Sequence, residues 1–241
     1  MTVLSSDMTL GALAAHRPEL TAFFDAQGLD YCCGGAQPLS QACAQKGLDA
    51  QAIWAQIREW PAAPLLSADT PALGASLSLW ADHIVETHHA YLNRTLPQLS
   101  ALLDKTRRAH GERHGELIDL QRTFEALRAD LEAHLAKEET VLFPYCKALD
   151  TAQTLPAFHC GSIENPIRVM REEHDLAGDF LRQMRALSDD YTPPADACAT
   201  YRAAFALLAE LERDLHTHIH KENNILFPRA AERAQSLASG A

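Results

Sequence analysis

The chain has 241 residues, of which 47% are apolar and 22% are charged, a balance typical of a globular protein with a sizeable buried core. Its formal net charge of −11 argues against binding to nucleic acid or to an anionic membrane through the overall electrostatic field. No apolar run approaches the roughly 18 residues of a membrane-spanning helix, and no basic region precedes the apolar part of the N-terminal segment. We therefore expect a cytoplasmic protein without nucleic-acid or membrane partners.

Residues 1–60 are predicted to form a small N-terminal helical domain. The residues expected to mark helix ends in it are Pro18, Gly28, Pro38, Gly47 and Asp49. Residues 61–75 contain three closely spaced prolines, which break regular structure, so we predict a linker there. A second domain is expected over residues 76–235.

Four long helical patterns follow the linker, with few strand signals. They run from about Ser76 to Leu103, Glu112 to Pro144, Pro166 to Ser188 and Asp196 to Pro228. The second pattern contains an apolar stripe at helical spacing, formed by Leu117, Leu120, Phe124, Leu127, Leu131, Leu135 and Leu142. Because proline cannot continue a helix, we expect Pro144 and Pro228 to end theirs. Four helices of this length predict an all-α fold with a four-helix bundle.

One sequence motif of eleven residues, referred to below as the repeated phrase, occurs twice in the chain. HLAKEETVLFP begins at His134 and HIHKENNILFP begins at His218, 84 positions later, with six of eleven residues identical. In each copy a histidine precedes a glutamate by four positions, which places both side chains on one helical face. His89 and His174 lie 85 positions apart, nearly the same offset. Each half of the bundle therefore supplies one histidine and, about 45 residues later, a His-x-x-x-Glu pair.

Six side chains are thereby predicted to face the bundle core at one level: His89, His134, Glu138, His174, His218 and Glu222. Four imidazoles and two carboxylates exceed the ligand set of one structural zinc and suit two borderline metal ions, iron before manganese. With both glutamates and an oxo or hydroxo group as bridges, each ion would keep an open position for O2 or NO. A single His-x-x-x-Glu is usually a surface ion pair, but that alternative does not explain two matched copies.

Residues near the six predicted ligands include one competing histidine and three acidic residues that could orient the imidazoles. His88 is the main rival of His89, because adjacent helical residues cannot both face inward. Glu139, Glu173 and Asp175 are placed to hydrogen-bond the ligating imidazoles. Three further histidines are expected at the surface or in loops: His110, His114 and His159.

The segment LDYCCGG, residues 29–35, is the second unusual stretch. Cys32 and Cys33 are vicinal thiols, and the two glycines after them let the backbone approach a ligand closely or adopt a positive φ. Thiol exchange, transient iron or cluster ligation and an intermolecular disulfide, which would give a homodimer, are functional interpretations. Two small buried residues beside a tight turn are the structural alternative. The other cysteines are expected to be structural or incidental: Cys43, Cys146, Cys160 and Cys198.

Together these motifs resemble the repair-of-iron-centres family, hemerythrin-like di-iron proteins of bacteria. TLGALAAHRPELTAFFDAQGLDYCCGG is similar to the N-terminal domain of that family. Four further segments of this chain are similar to the metal-ligand segments of the family: HIVETHHAYLNRTLPQL, HLAKEETVLFP, MREEHDLAG and HIHKENNILFP. The resemblance implies a hemerythrin-like bundle with two iron ions in an oxo- or hydroxo- and carboxylate-bridged centre. It implies the same six ligands, with Glu138 and Glu222 bridging. Oxygen-carrying hemerythrins have His-x-x-x-His where this chain has His134 and Glu138, which argues against a plain oxygen carrier.

The resemblance further implies the repair of iron–sulfur clusters damaged by nitrosative or oxidative stress. Iron would pass from a labile site to damaged iron–sulfur proteins or apo-cluster acceptors. Cys32 and Cys33 are then candidate redox or iron-transfer thiols. Two alternatives stay open: a di-iron protein that binds or reduces nitric oxide, as scavenger or enzyme, and a non-catalytic sensor of redox state or NO.

Overall fold

The computed structural model describes residues 4–61 and 70–240. Apart from one isolated bridge between Thr9 and Pro38, the regular structure of these residues is helical, which confirms the all-α class. Residues 62–69 of the predicted linker lie outside the described residues, and the predicted domain boundaries stay a prediction. None of the helices in the described ranges combines the length and the apolar character that crossing a lipid bilayer requires.

Four short helices come first: α1 Leu10–His16, α2 Leu20–Gln27, α3 Leu39–Lys46 and α4 Ala50–Glu59. Three pairs of helices follow, each joined by a π-helical turn, with one single helix between the second and third pairs. The first pair is α5 Leu77–Ile84 and α6 Ala90–His110, joined by the turn Val85–His89, and the second is α7 Glu116–Lys137 and α8 Phe143–Thr151, joined by Glu138–Leu142. The single helix is α9 Glu164–Leu187, and the third pair is α10 Ala199–Lys221 and α11 Phe227–Ser239, joined by Glu222–Leu226. In a π-helical turn the backbone hydrogen bonds span five residues instead of four.

The ends of the short helices follow the sequence signals. Gly28 and Gly47 close α2 and α3 with φ angles of 63° and 68°, a left-handed conformation that glycine adopts without a Cβ clash. Asp49 caps α4, because its side chain accepts two backbone N–H groups of the first turn. The sequence analysis did not predict α1 as a separate helix. Its signal is Thr9, whose hydroxyl oxygen accepts the N–H of Ala12 at 3.2 Å.

The described residues divide into two compact units. The bundle unit contains residues 85–144 and 165–215, and the N-terminal unit contains residues 4–61, 70–84, 145–164 and 216–240.

The core of the bundle unit is formed by the apolar faces of α6, α7, α9 and α10. Every residue of the stripe predicted in the second helical pattern is buried. Members of this core are Leu92 and Leu99 from α6, Leu120 and Phe124 from α7, Leu181 from α9 and Leu208 from α10. Four helices that bury one apolar stripe each form the expected helical bundle.

The N-terminal unit has a separate core made mainly by the four short helices. It contains Leu13 from α1, Phe24 from α2, Leu39 from α3 and Ile57 from α4, together with Ile219 from α10. Ile219 belongs to the last turn of α10, which lies in this unit. Tyr31 and Cys32 of the LDYCCGG loop are buried in the same core.

Pro144 and Pro228 do not end their helices, and this expectation was wrong. Each is the second residue of a new α-helix that follows a π-helical turn. Proline is tolerated there because its missing N–H needs no partner in a first helical turn. In the first case, the N–H of Phe143 donates to the carbonyl oxygen of Glu138, five residues earlier. The matching bond in the later π-helical turn has the same spacing.

Candidate metal centre

His134, Glu138 and His174 meet inside the bundle unit, where their ligand atoms lie within 4.8 Å of one another. Nε2 of His134 lies 3.2 Å from Nε2 of His174 and 3.4 Å from Oε2 of Glu138. His134 lies in the last turn of α7, Glu138 opens the π-helical turn that follows, and α9 contributes His174. All three side chains are buried. The fold therefore brings three of the predicted ligands together.

His89 faces the same carboxylate. Its Nε2 lies 3.4 Å from Oε2 of Glu138, and its Nδ1 lies 2.8 Å from Oε1 of Glu139. Because a carboxylate only accepts, Nδ1 carries the proton and Nε2 keeps its lone pair towards Glu138. His88 pairs instead with Asp214, at 2.8 Å through Nδ1. His89, and not its rival His88, is the histidine directed at Glu138.

Glu173 orients His134 in the same way. Its Oε2 accepts from Nδ1 of His134 at 2.8 Å, so the lone pair of Nε2 points towards Glu138 and His174. The hydrogen-bonding role expected of Glu139 and Glu173 is confirmed, whereas Asp175 is exposed. Two imidazoles of the bundle unit are thus held in the tautomer that a metal ion requires.

The N-terminal unit holds the second copy of the His-x-x-x-Glu pair. His218 lies in the last turn of α10, and Glu222 opens the π-helical turn that follows. Nε2 of His218 lies 3.1 Å from Oε1 of Glu222, and both side chains are buried. The repeated phrase therefore folds in the same way twice, with an imidazole against a buried carboxylate one turn later.

Each of the three π-helical turns begins or ends on a predicted ligand. His89 ends the first, Glu138 opens the second and Glu222 opens the third. Such turns widen a helix locally and are frequent at functional sites. The sequence analysis did not predict them. A signal for the second and third is the Leu-Phe-Pro that closes both copies of the phrase, because proline removes one N–H of the regular helical pattern.

The surroundings of Glu138 show whether these residues fit a metal ion. Its side chain is fully buried, and in the part of the chain that the structure describes neither of its oxygens accepts a hydrogen bond. An uncompensated buried carboxylate is costly, and a bound cation removes that cost. The Nε2 atoms of His89 and His134, each 3.4 Å from Oε2, are metal donors of the right type. Imidazole and carboxylate without thiolate suit iron or manganese, so the residues fit the expected ions.

His110 and His220 are also buried. His110 was expected at the surface or in a loop, but it is buried because its ring packs on Tyr201, with 5.3 Å between ring centroids. Burial lowers the pKa of His220 to about 4, so this residue is neutral at pH 7. Its Nδ1 lies 3.2 Å from Nδ2 of Asn224. Asn224 belongs to the π-helical turn that Glu222 opens.

Cys32 and Cys33 lie on the loop between α2 and α3, in the N-terminal unit. Cys32 is buried and Cys33 is half-buried. Among the described residues, none of the six cysteines forms a disulfide.

Two family models match this chain, one over each of its two parts. Residues 81–230, which include all six predicted ligands, match the hemerythrin HHE cation binding domain. Residues 6–60, which include the two vicinal cysteines, match a domain of unknown function, DUF542. The first match agrees with the expected cofactor of two iron ions.

Several curated relatives align over almost the entire chain. The iron-sulfur cluster repair protein YtfE of Musicola paradisiaca (strain Ech703) is 38% identical over 224 residues, covering 93% of this chain and 96% of the relative. Proteins of the same name from Enterobacter sp. (strain 638) and Escherichia coli O157:H7 are 37% identical over 225 residues and 36% over 224 residues, with the same coverage. The chain therefore belongs to the repair-of-iron-centres family of hemerythrin-like iron–sulfur cluster repair proteins.

Proposed function

We propose that this protein repairs damaged iron–sulfur clusters by supplying iron from a labile di-iron site. The observation that carries the proposal is the buried carboxylate of Glu138, which accepts no hydrogen bond from the described residues and stands within reach of three imidazoles. The name of the aligned relatives, iron-sulfur cluster repair protein, supports the same function.

Six buried side chains would hold the two ions: His89, His134, Glu138 and His174 of the bundle unit, and His218 and Glu222 of the N-terminal unit. As the family resemblance implies, Glu138 and Glu222 would be the carboxylates that both ions share. On this assignment the two copies of the repeated phrase are two halves of one centre.

When bound, such a pair supplies redox-active iron that leaves most easily in its ferrous form. The residues of this chain hold the donors: Glu139 and Glu173 keep the protons on Nδ1, so that Nε2 remains a lone-pair donor in His89 and His134. None of these six assigned ligands is a thiolate. Because cysteine thiolates are the softer donors and hold iron–sulfur clusters, a depleted cluster site would draw ferrous iron from this centre.

The partners implied by this proposal are damaged iron–sulfur proteins or apo-cluster acceptors, whose cysteines receive the iron. Labile ferrous iron and reduced thiols require a reducing environment, so the proposal includes a cytoplasmic location.

The test is iron transfer to an apo-acceptor. Reduced, iron-loaded protein is incubated anaerobically with sulfide and an apo-ferredoxin of cysteine ligands. A stoichiometric one-electron oxidant is then added to supply the ferric ions of the cluster, and cluster formation is followed by visible absorption. The parent protein should restore the cluster, and Glu138→Gln should not, because it holds less iron. Glu132→Gln is the control, since Glu132 lies on α7 before the turn that Glu138 opens, half-exposed at 50% and paired with Arg128.

Two outcomes would contradict iron supply. One is a parent protein that keeps its iron while the acceptor stays without a cluster. The other is restoration at the same rate by Glu138→Gln. Formation of nitrous oxide from NO by the reduced protein, with the iron retained throughout, would favour the NO-reducing alternative instead.

A further inference from the structure

The loop between α2 and α3 carries a second group of metal-ligating side chains. Ligand atoms of Asp30, Cys32 and Cys33 lie within 4.8 Å of one another. Sγ of Cys32 lies 3.2 Å from Oδ1 of Asp30, and the same oxygen accepts the backbone N–H groups of Cys32 and Cys33 at 3.1 and 3.0 Å. All three residues belong to the N-terminal unit. They form a compact group of two thiols and one carboxylate that the proposed di-iron centre leaves unused.

Asn224 holds the backbone of this loop in place. Its Nδ2 donates to the carbonyl oxygens of Tyr31 and Cys32, both at 3.1 Å. After the thiols, the carbonyl oxygen of Gly35 accepts the N–H of Gly11 at 2.8 Å. The loop is therefore tethered both before and after Cys33. A tethered loop loses little further freedom when it binds an ion, which favours binding.

The two glycines of the loop allow close approach and have no positive φ. A Cβ on Gly34 would lie 2.9 Å from the carbonyl oxygen of Asp30. A Cβ on Gly35 would lie 2.4 Å from Oδ1 of Asn224 and 2.5 Å from the carbonyl oxygen of Tyr31. Only glycine leaves room for the loop to turn back on Asp30 and to receive Asn224. The Cys-Cys-Gly-Gly sequence is thus one unit, in which the glycines shape the loop that presents the thiols.

The two thiols differ in their access to solvent. Cys32 is buried and Cys33 is half-buried, so an ion can reach the group past Cys33. A hydrogen bond with Cys33, together with burial, raises the pKa of Cys32 well above its usual range. Cys32 is therefore a neutral thiol at pH 7 when no ion is present. A cation that binds here has to displace this proton, because only the thiolate is a strong metal ligand.

We propose that Asp30, Cys32 and Cys33 form a mononuclear site for a thiophilic divalent metal ion of the ferrous or zinc type. Three protein ligands leave one coordination position open, as in sites that exchange a ligand and unlike closed structural sites. On binding, two S–H bonds break, two metal–sulfur bonds form and two protons enter the solvent, with no change of oxidation state. The site shares no residue with the six ligands assigned to the di-iron centre and goes beyond the proposed repair function.

The test uses Co²⁺ as the probe on the full-length, iron-loaded protein, anaerobically and with all six thiols shown to be reduced. One equivalent of Co²⁺ should produce thiolate-to-cobalt charge-transfer absorption and release about two protons in weak buffer. Cys33→Ser should abolish this absorption. Asp30→Asn keeps an oxygen that can accept the loop N–H groups but loses the charge, and should weaken Co²⁺ binding at least about tenfold.

Cys198→Ser is the matched control, because it removes an exposed thiol elsewhere and should leave the cobalt spectrum unchanged. Absence of thiolate-to-cobalt absorption in the reduced parent, or its persistence in Cys33→Ser, would overturn the proposal. Iron content is measured in the same samples. A missing cobalt signal with iron retained would refute this site alone, whereas a cobalt signal without bound iron would refute the di-iron proposal alone.

Discussion

Glu173 accepts a hydrogen bond from Nδ1 of His134 at 2.8 Å and thereby determines which ring nitrogen can bind a metal ion. Burial alone would raise the pKa of Glu173, but hydrogen bonds from Lys137 and His134 hold it below its ordinary value. Glu173 is therefore a carboxylate at neutral pH. It keeps the proton of His134 on Nδ1 and leaves the lone pair of Nε2 for the centre.

Replacing this carboxylate should loosen the metal centre without removing a ligand. We expect Glu173→Gln to lower iron affinity by roughly 10- to 100-fold, the usual effect of losing a partner that orients a ligating histidine. The measurement is the rate and extent of iron loss to a ferrous chelator. Glu172→Gln is the control, since Glu172 is exposed on the same helix and pairs with Arg168. Equal iron loss from both variants would show that Glu173 does not support the centre.

Because Glu138 is buried, we expect Glu138→Gln to stabilise the metal-free protein but to weaken iron binding. In metal-free protein, Glu138→Gln should raise the free energy of unfolding by about 1 kcal/mol or more, because an uncompensated buried carboxylate is removed. In protein purified with iron, the same change should lower the iron content. Denaturant unfolding and elemental analysis test the two halves. If Glu138→Gln destabilised the metal-free protein, Glu138 would be a structural ion-pair partner instead of a ligand.

Cys198 should be the most reactive thiol of the chain at neutral pH. A hydrogen bond from the backbone N–H of Tyr201 and a further one from the His110 side chain lower the pKa of the exposed Cys198 to about 7. The thiolate fraction therefore rises with pH and is already half-maximal near neutrality. We expect its alkylation by iodoacetamide, followed by mass spectrometry, to show a midpoint at about pH 7. Cys32, whose pKa is raised, should react slowly in the same samples; a Cys198 midpoint near pH 9 would contradict the prediction.

The close approach of Asn224 to the cysteine loop predicts the effect of adding one methyl group. In Gly35→Ala the new Cβ would lie 2.5 Å from the Tyr31 carbonyl oxygen, which is backbone and cannot rotate aside. We expect the free energy of unfolding to fall by roughly 1–3 kcal/mol, the usual effect of overpacking. Gly74→Ala is the control, because a Cβ there meets nothing within 4 Å. A change within about 0.5 kcal/mol, as expected for the control, would show that the loop adapts freely.

The helical spacing was enough to predict the bundle and the burial of its second-helix stripe. It was also enough to choose His89, which faces Glu138, although His88 stands beside it. The spacing predicts these features because a long helix buries one face, so its apolar residues recur in the sequence at regular intervals. The glycines that close α2 and α3 were predictable for a similar reason, since few other residues adopt a left-handed conformation cheaply.

The π-helical turns were not predictable from spacing alone. Pro144 was expected to end a helix, but the turn opened by Glu138 shifts the hydrogen bonds so that the proline starts the next helix. Asn224 was missed for another reason: its partners, Tyr31 and Cys32, are almost two hundred residues away in the sequence, at separations of 193 and 192. Contacts of this kind depend on tertiary structure and leave no local pattern.

Metal analysis of anaerobically purified protein, compared with Glu222→Ala, tests the di-iron assignment most directly. We expect about two iron ions per chain in the parent protein, as in other carboxylate-bridged bundle centres. Glu222→Ala removes one proposed bridge and should lose most of this iron. About one zinc ion per chain in the parent, or an unchanged iron content in Glu222→Ala, would contradict the assignment.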